Sequence, residues 1–122
     1  MSSLMKIKSY WSDVNDGRWD TLAKYFSPKA VIGWPNTGES FTPEEFVRVY
    51  RDCPGGRDIS IVQIEQNNSV AVTVALVKQR DGGTSFYVTS FFEFEDMLIT
   101  RLTEYWGVNG SAPEWRKPVV DT

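Results

Sequence analysis

Histidine is absent from this chain, and no other feature of its composition excludes as much. Without an imidazole there is no Ser-His-Asp or Cys-His nucleophilic site, no HExxH zinc site and no histidine acid–base pair. Any catalysis must draw on carboxylates, tyrosine, lysine, arginine or one thiol. That thiol, Cys53, is the single cysteine, so no disulfide closes within the chain and nothing points to an oxidising compartment. Pro54-Gly55-Gly56 follows it at the expected end of a helix, the wrong pole of the helix dipole to stabilise a thiolate. No apolar run approaches the roughly 18 residues a spanning helix needs. Charge arrives early, at Lys6 and Lys8, and leaves no apolar segment for a signal peptide. The expectation is a cytoplasmic protein with no membrane partner. Basic charge is also scarce, with 13 Lys and Arg against 16 Asp and Glu, so no basic stripe awaits nucleic acid. Glycine pairs at Gly55-Gly56 and Gly82-Gly83 lack phosphate-loop spacing and read as turns. Glu93, Glu95 and Asp96 read as a solvated strand edge, so neither a metal nor a cofactor is expected.

What is present describes one domain over residues 1–122, long enough to bury roughly two thirds of its unfolded surface. Leu4, Ile7, Trp11 and Val14 fall on one stripe of a helix running to about Asn15, which Asp16-Gly17 ends. Trp19, Leu22 and Phe26 repeat the spacing in a second helix that Ser27-Pro28 stops. A short β-branched run, Ala30 to Trp34, suits a strand. Thr42-Pro43-Glu44-Glu45 is a capping box with proline at the first helical position, launching a third helix through Phe46, Val49 and Tyr50. Four strands then follow in series: Asp58 to Gln66, Val70 to Arg80, Thr84 to Glu95 and Leu98 to Trp106. Their short connections imply antiparallel neighbours. The class is α+β, a conical fold in which a strongly curved, mostly antiparallel sheet packs against three helices of the N-terminal half. The tail, 108–122, is expected to be partly loose.

This order of elements resembles the nuclear transport factor 2-like superfamily, in particular its SnoaL-like branch. Tyr25-Phe26-Ser27-Pro28-Lys29-Ala30-Val31-Ile32 looks like the family's helix-to-strand passage. Ser90-Phe91-Phe92-Glu93-Phe94 resembles its penultimate strand and Leu102-Thr103-Glu104-Tyr105-Trp106-Gly107 its last. Trp34 to Phe41 and Ala112 to Arg116 look like a bacterial subgroup. The resemblance implies the fold and a location for a cavity. It does not imply one activity, because the superfamily hosts isomerases, dehydratases, cyclases, epoxide hydrolases and non-catalytic binders. Set beside ketosteroid isomerases without gaps, Tyr10 falls where they have an oxyanion-hole tyrosine, Trp34 where they have the carboxylate base, and Ser90 near their second acid. Two of those three groups are therefore missing. The histidine-dependent cyclases and dehydratases are excluded in their known form, and the Asp-Arg-Asp arrangement of limonene epoxide hydrolases has no counterpart beyond scattered Arg48, Arg101 and Glu104.

Glu104 is the residue most suited to chemistry. It shares a strand face with Leu102 and Trp106. Turned inward among aromatics, its carboxyl would titrate high and serve as a general acid or base; the alternative is a salt bridge to Arg116 or Arg48. Tyr10 would donate to a developing oxyanion or simply pack in the core. Trp34, Phe86, Phe92, Phe94, Trp106 and Trp115 are candidates for an aromatic lining, with Asn36 and Glu39 at the mouth and Arg116 beside Trp115 in the tail. A packed core would use the same residues, and Asn36 would by default make a turn. Three functions follow. The first is a small-molecule-binding domain for an apolar or aromatic ligand, contacted by Trp34, Asn36, Ser90, Phe92, Trp106, Trp115 and Arg116. The second is a lyase or isomerase with Glu104 and Tyr10 catalytic. The third is a dimerisation module, and a homodimer is expected under all three.

Overall fold

The computed structural model describes residues 3–53 and 55–117. Helix α1 covers Ser3–Asp16, α2 covers Trp19–Leu22, and a 3-10 turn at Ala23–Tyr25 leads into β1, Phe26–Trp34. A short β2, Glu39–Phe41, precedes α3, Pro43–Asp52. The long strands β3 (Arg57–Gln66), β4 (Val70–Gln79), β5 (Ser85–Glu95) and β6 (Leu98–Val108) complete a single sheet in the order β2-β1-β6-β5-β4-β3. All neighbours are antiparallel except β1 and β6.

The α+β expectation and the three helices stand, with one shift at the second helix. Phe26 belongs to β1, because the chain tightens into the 3-10 turn four residues earlier than the periodicity implied. Pro28 is accommodated inside that strand rather than before it. The β1–β6 register breaks between Phe26 and Val31, so no ladder hydrogen bond is demanded of the missing N–H. Further breaks, with Val62 the extra residue on β3 and Thr100 the extra residue on β6, bend those two strands, which is how strands this long wrap around the helices.

The capping box forms as its residues dictate: Glu45 N–H donates to Thr42 Oγ1 and Thr42 N–H donates to Glu45 Oε1. It aims α3 so that Phe46 and Tyr50, one turn apart, are buried over the sheet. Helix α1 contributes Ile7, Tyr10, Trp11 and Val14 to the same core, and Leu4 is half-buried at its edge. Strand β4 alternates strictly, with Ala71, Thr73, Ala75 and Val77 inward. Thr73 is satisfied there by the Trp11 indole N–H at 3.1 Å. The tail follows β6 without a further strand as far as a 3-10 turn at Glu114–Arg116, and residues 118–122 lie outside the described part. Among the described residues no helix is long and apolar enough to cross a membrane, and no cluster of acidic, cysteine or histidine residues is built to hold a metal.

Candidate functional site

Strand β6 carries Leu102, Glu104 and Trp106 on the face turned toward the helices, while Arg101 and Tyr105 face outward. Glu104 is completely buried. It stands directly opposite Ser90 on β5, whose hydroxyl donates to Glu104 Oε2 at 2.6 Å. The indole N–H of Trp34, from the end of β1, donates to Oε1 at 3.0 Å. Among the described residues each carboxyl oxygen thus has one donor, and no cation pairs with it. The expected alternative of a bridge to Arg116 or Arg48 is corrected by this geometry: an arginine would have to enter an aromatic core, whereas two neutral donors already sit there.

Burial without a counter-charge raises the Glu104 pKa from the usual carboxyl range to about 7, with the Ser90 and Trp34 hydrogen bonds holding it back from going higher. Near neutral pH the carboxyl is therefore shared between neutral and charged forms. Tyr10 lies close enough for its ionisation to be opposed by Glu104, and its hydroxyl is buried with no hydrogen-bond partner. Burial, first of all, pushes both Tyr10 and Tyr50 well above the ordinary phenol value. Tyr10 also packs edge-on against Trp11, Tyr25, Phe26 and Phe92. This is the core position that was the alternative for it.

A cavity of about 350 Å³ opens beside this cluster. Its walls are Trp34, Phe86 and Trp106 from the sheet, Val49 and Tyr50 from α3, and Val77 from β4. Trp34 and Trp106 meet edge-on with centroids 5.3 Å apart, and Phe86 packs 4.7 Å from Trp106. Asn36 and Glu39 stand at the rim, as does Arg57. Asn36 also lies in the turn that the Thr37 and Gly38 N–H groups close on the Trp34 carbonyl, and its Oδ1 ties that turn to β6 by accepting the backbone N–H of Trp106 at 2.8 Å. The indole N–H of Trp106 is buried and has no hydrogen-bond partner among the described residues.

The structure therefore joins Trp34, Asn36 and Trp106 in one cavity and separates the other expected contacts from it. Ser90 is buried against Glu104, and Phe92 is buried under Tyr10 and Trp11. Glu104 itself is not a lining residue and reaches the wall only through the Trp34 indole. Trp115 and Arg116, expected as ligand contacts, do not line this cavity. The turn after Pro113 leaves Trp115 77% exposed, with the Arg116 guanidinium 5.5 Å from its ring centroid. The sequence reading missed Tyr50, Val77 and Arg57 as wall residues. Tyr50 was findable, since it lies one helical turn beyond Phe46, but the other two come from strands whose proximity to α3 is a property of the folded sheet.

Comparison with known proteins supports the fold that the residues imply. No curated protein matches the chain in sequence. Among solved structures, a proposed ketosteroid isomerase from Kribbella flavida superposes with a TM-score of 0.82 at 20% identity, covering 95% of this chain and 85% of its own. An NTF-2 like protein of unknown function from Burkholderia xenovorans reaches 0.83 at 19% identity, over 98% and 94% of the two chains. An LEH-like epoxide hydrolase from Mycobacterium tuberculosis gives 0.71 at 15% identity, over 86% and 82%. Identities this low establish the shared architecture alone. The sequence itself goes further, because residues 7–102 match the SnoaL-like domain, a span that runs from within α1 through α3 and β1 to β5 and ends inside β6, before Glu104 and Trp106. The chain belongs to the SnoaL-like domain family.

Proposed function

We propose that this protein binds a flat, apolar small molecule in the cavity walled by Trp34, Tyr50, Phe86 and Trp106. The observation that carries the reading is the cavity itself. At about 350 Å³ it falls in the size range of small-molecule sites, and its walls are aromatic and aliphatic with a few polar groups at the rim. Titration of the protein with a flat aromatic probe such as methyl 2-naphthoate, followed by tryptophan fluorescence, tests it directly. Saturable quenching that Trp106→Ala abolishes is the expected result. Absence of saturable binding overturns the reading.

A second reading, proton transfer by Glu104 in a lyase or isomerase, is favoured by one observation: a buried carboxyl titrating near 7 beside an unpartnered tyrosine hydroxyl. It requires Trp34 to swing aside, since Glu104 does not line the cavity. Glu104→Gln separates the two. Ligand affinity stays within a few-fold if the protein is a binder, and any turnover disappears if Glu104 moves the proton.

The proposal extends to pairing of two copies in the cytoplasm through the outer sheet face. Tyr87, Phe91 and Tyr105 are 44%, 39% and 47% exposed there, with Phe91 and Tyr105 in an edge-to-face pair. Sedimentation showing a monomer at every concentration removes the pairing.

A further inference from the structure

A second cavity, of about 390 Å³, adjoins the first and differs from it in character. The two share Tyr50, Cys53, Gly56 and Arg57 as walls. Where the first is apolar, the second is lined by three guanidinium groups, Arg51, Arg57 and Arg80. Two of these have carboxylate partners: Arg51 Nε lies 3.0 Å from Asp52, and Arg80 Nε lies 2.8 Å from Asp58. Among the described residues no carboxylate pairs with Arg57. Its guanidinium stands 5.4 Å from the Tyr50 ring centroid, and among the described residues Nη2 donates one long bond, 3.4 Å, to the Tyr50 carbonyl. A guanidinium carries five N–H donors, so most of its capacity is uncommitted at the junction of the two cavities.

The loop before β3 is shaped to bring a second cation to the same place. Arg80 N–H donates to Gly56 O at 2.9 Å, and its side chain lies over the glycine. A Cβ on Gly56 would come within 2.9 Å of Arg80 Cδ and 3.0 Å of Nη1. The acids that line the cavities are engaged elsewhere: Asp16 with Arg18 at 2.7 Å, and Glu39 with the Thr37 hydroxyl at 2.6 Å.

We infer that the ligand of this protein is an apolar molecule bearing an anionic head group of the carboxylate class, and that Arg57 clamps the head group while the body fills the aromatic cavity. The inference rests on the small-molecule-binding reading above and specifies the chemistry of its ligand. A planar guanidinium at the end of an apolar slot matches a carboxylate in two-point geometry, and stacking on Tyr50 orients it for that contact.

Calorimetric titration with 2-naphthoate and its neutral methyl ester tests the inference. Wild-type protein is expected to bind the acid roughly tenfold more tightly than the ester, the scale of one charge-assisted hydrogen bond. In Arg57→Gln the ratio of acid to ester affinity falls to about one. Arg57 also caps α3 and covers Tyr50, so Arg57→Lys is measured beside it: the charge is kept, the two-point contact is lost, and a preference of a few-fold remains. Equal affinity of wild type for acid and ester overturns the inference and leaves the binding reading standing. Failure of both probes to bind overturns both. A preference that persists in Arg57→Gln, or ester affinity that collapses with it, removes Arg57 as the clamp and assigns it to the wall alone.

Discussion

Replacing Glu104 with glutamine should make the protein more stable at pH 8 and about 1 kcal/mol less stable at pH 4.5. The side chain is fully buried with two neutral donors and no cation, and its pKa of about 7 compares with 4.5 for an unperturbed glutamic acid. Between those values the unfolded chain has released the proton and the folded chain still holds it. Stability contributed by this group therefore falls as pH rises above about 4.5 and levels off above about 7. The difference in pKa corresponds to a loss of about 3 kcal/mol. Glutamine is nearly isosteric, accepts from Trp34 and stays neutral throughout, so it escapes that loss at the cost of about 1 kcal/mol for a less favourable contact with Ser90. Urea unfolding from pH 4.5 to 8.5, followed by tryptophan fluorescence, gives the difference between the two proteins at each pH, and subtraction removes the other carboxylates. The variant should gain about 2 kcal/mol at pH 8, roughly 1 M in the urea midpoint for a domain of this size. A difference that does not change with pH refutes the reasoning and shows that Glu104 ionises freely in the folded state.

Trp34→Phe removes the indole donor to Glu104 Oε1, so it should cost about 2 kcal/mol at pH 8, where the carboxyl is charged, and about 1 kcal/mol at pH 5, with the Glu104 pKa moving further up on carboxyl-resolved NMR titration. Tyr25→Phe deletes the 2.7 Å bond from the Tyr25 hydroxyl to Asp13 that ties the 3-10 turn to the end of α1; thermal unfolding should show a loss of about 1 kcal/mol. The β5–β6 hairpin turns through Asp96 and Met97 at φ 51° and 67°, a conformation that suits glycine better than methionine. Met97→Gly should therefore stabilise the protein by roughly 0.5–1 kcal/mol in chemical denaturation.

Much of the fold was legible because local chemistry and tertiary demand agree in it. Thr42 to Glu45 announces α3 and caps it, and Asn67 closes the β3–β4 turn by accepting from Ser69 and Val70. Disagreement arose at Phe26, where helical spacing continued across a boundary imposed by pairing with β6. Within the site, Glu104, Trp34 and Trp106 were visible as an alternating strand and an apolar run ending in tryptophan. Trp115 was not legible for a plain reason: a large aromatic in a tail has no periodicity to say whether anything covers it, and among the described residues it is 77% exposed beside Arg116.

Residue identities alone decided that imidazole chemistry is impossible here, that the fold is of the α+β class, and that Glu104 shares a strand face with Trp106, because composition and alternation are properties of the covalent chain. Only the folded structure decided that Glu104 lies behind Trp34 instead of lining the cavity, that Arg57 meets Tyr50 where two cavities join, and that Ser90 is the carboxyl's partner. Those contacts depend on how far strands slide and bend before they pair, and register across a curved sheet is set by all of its strands together.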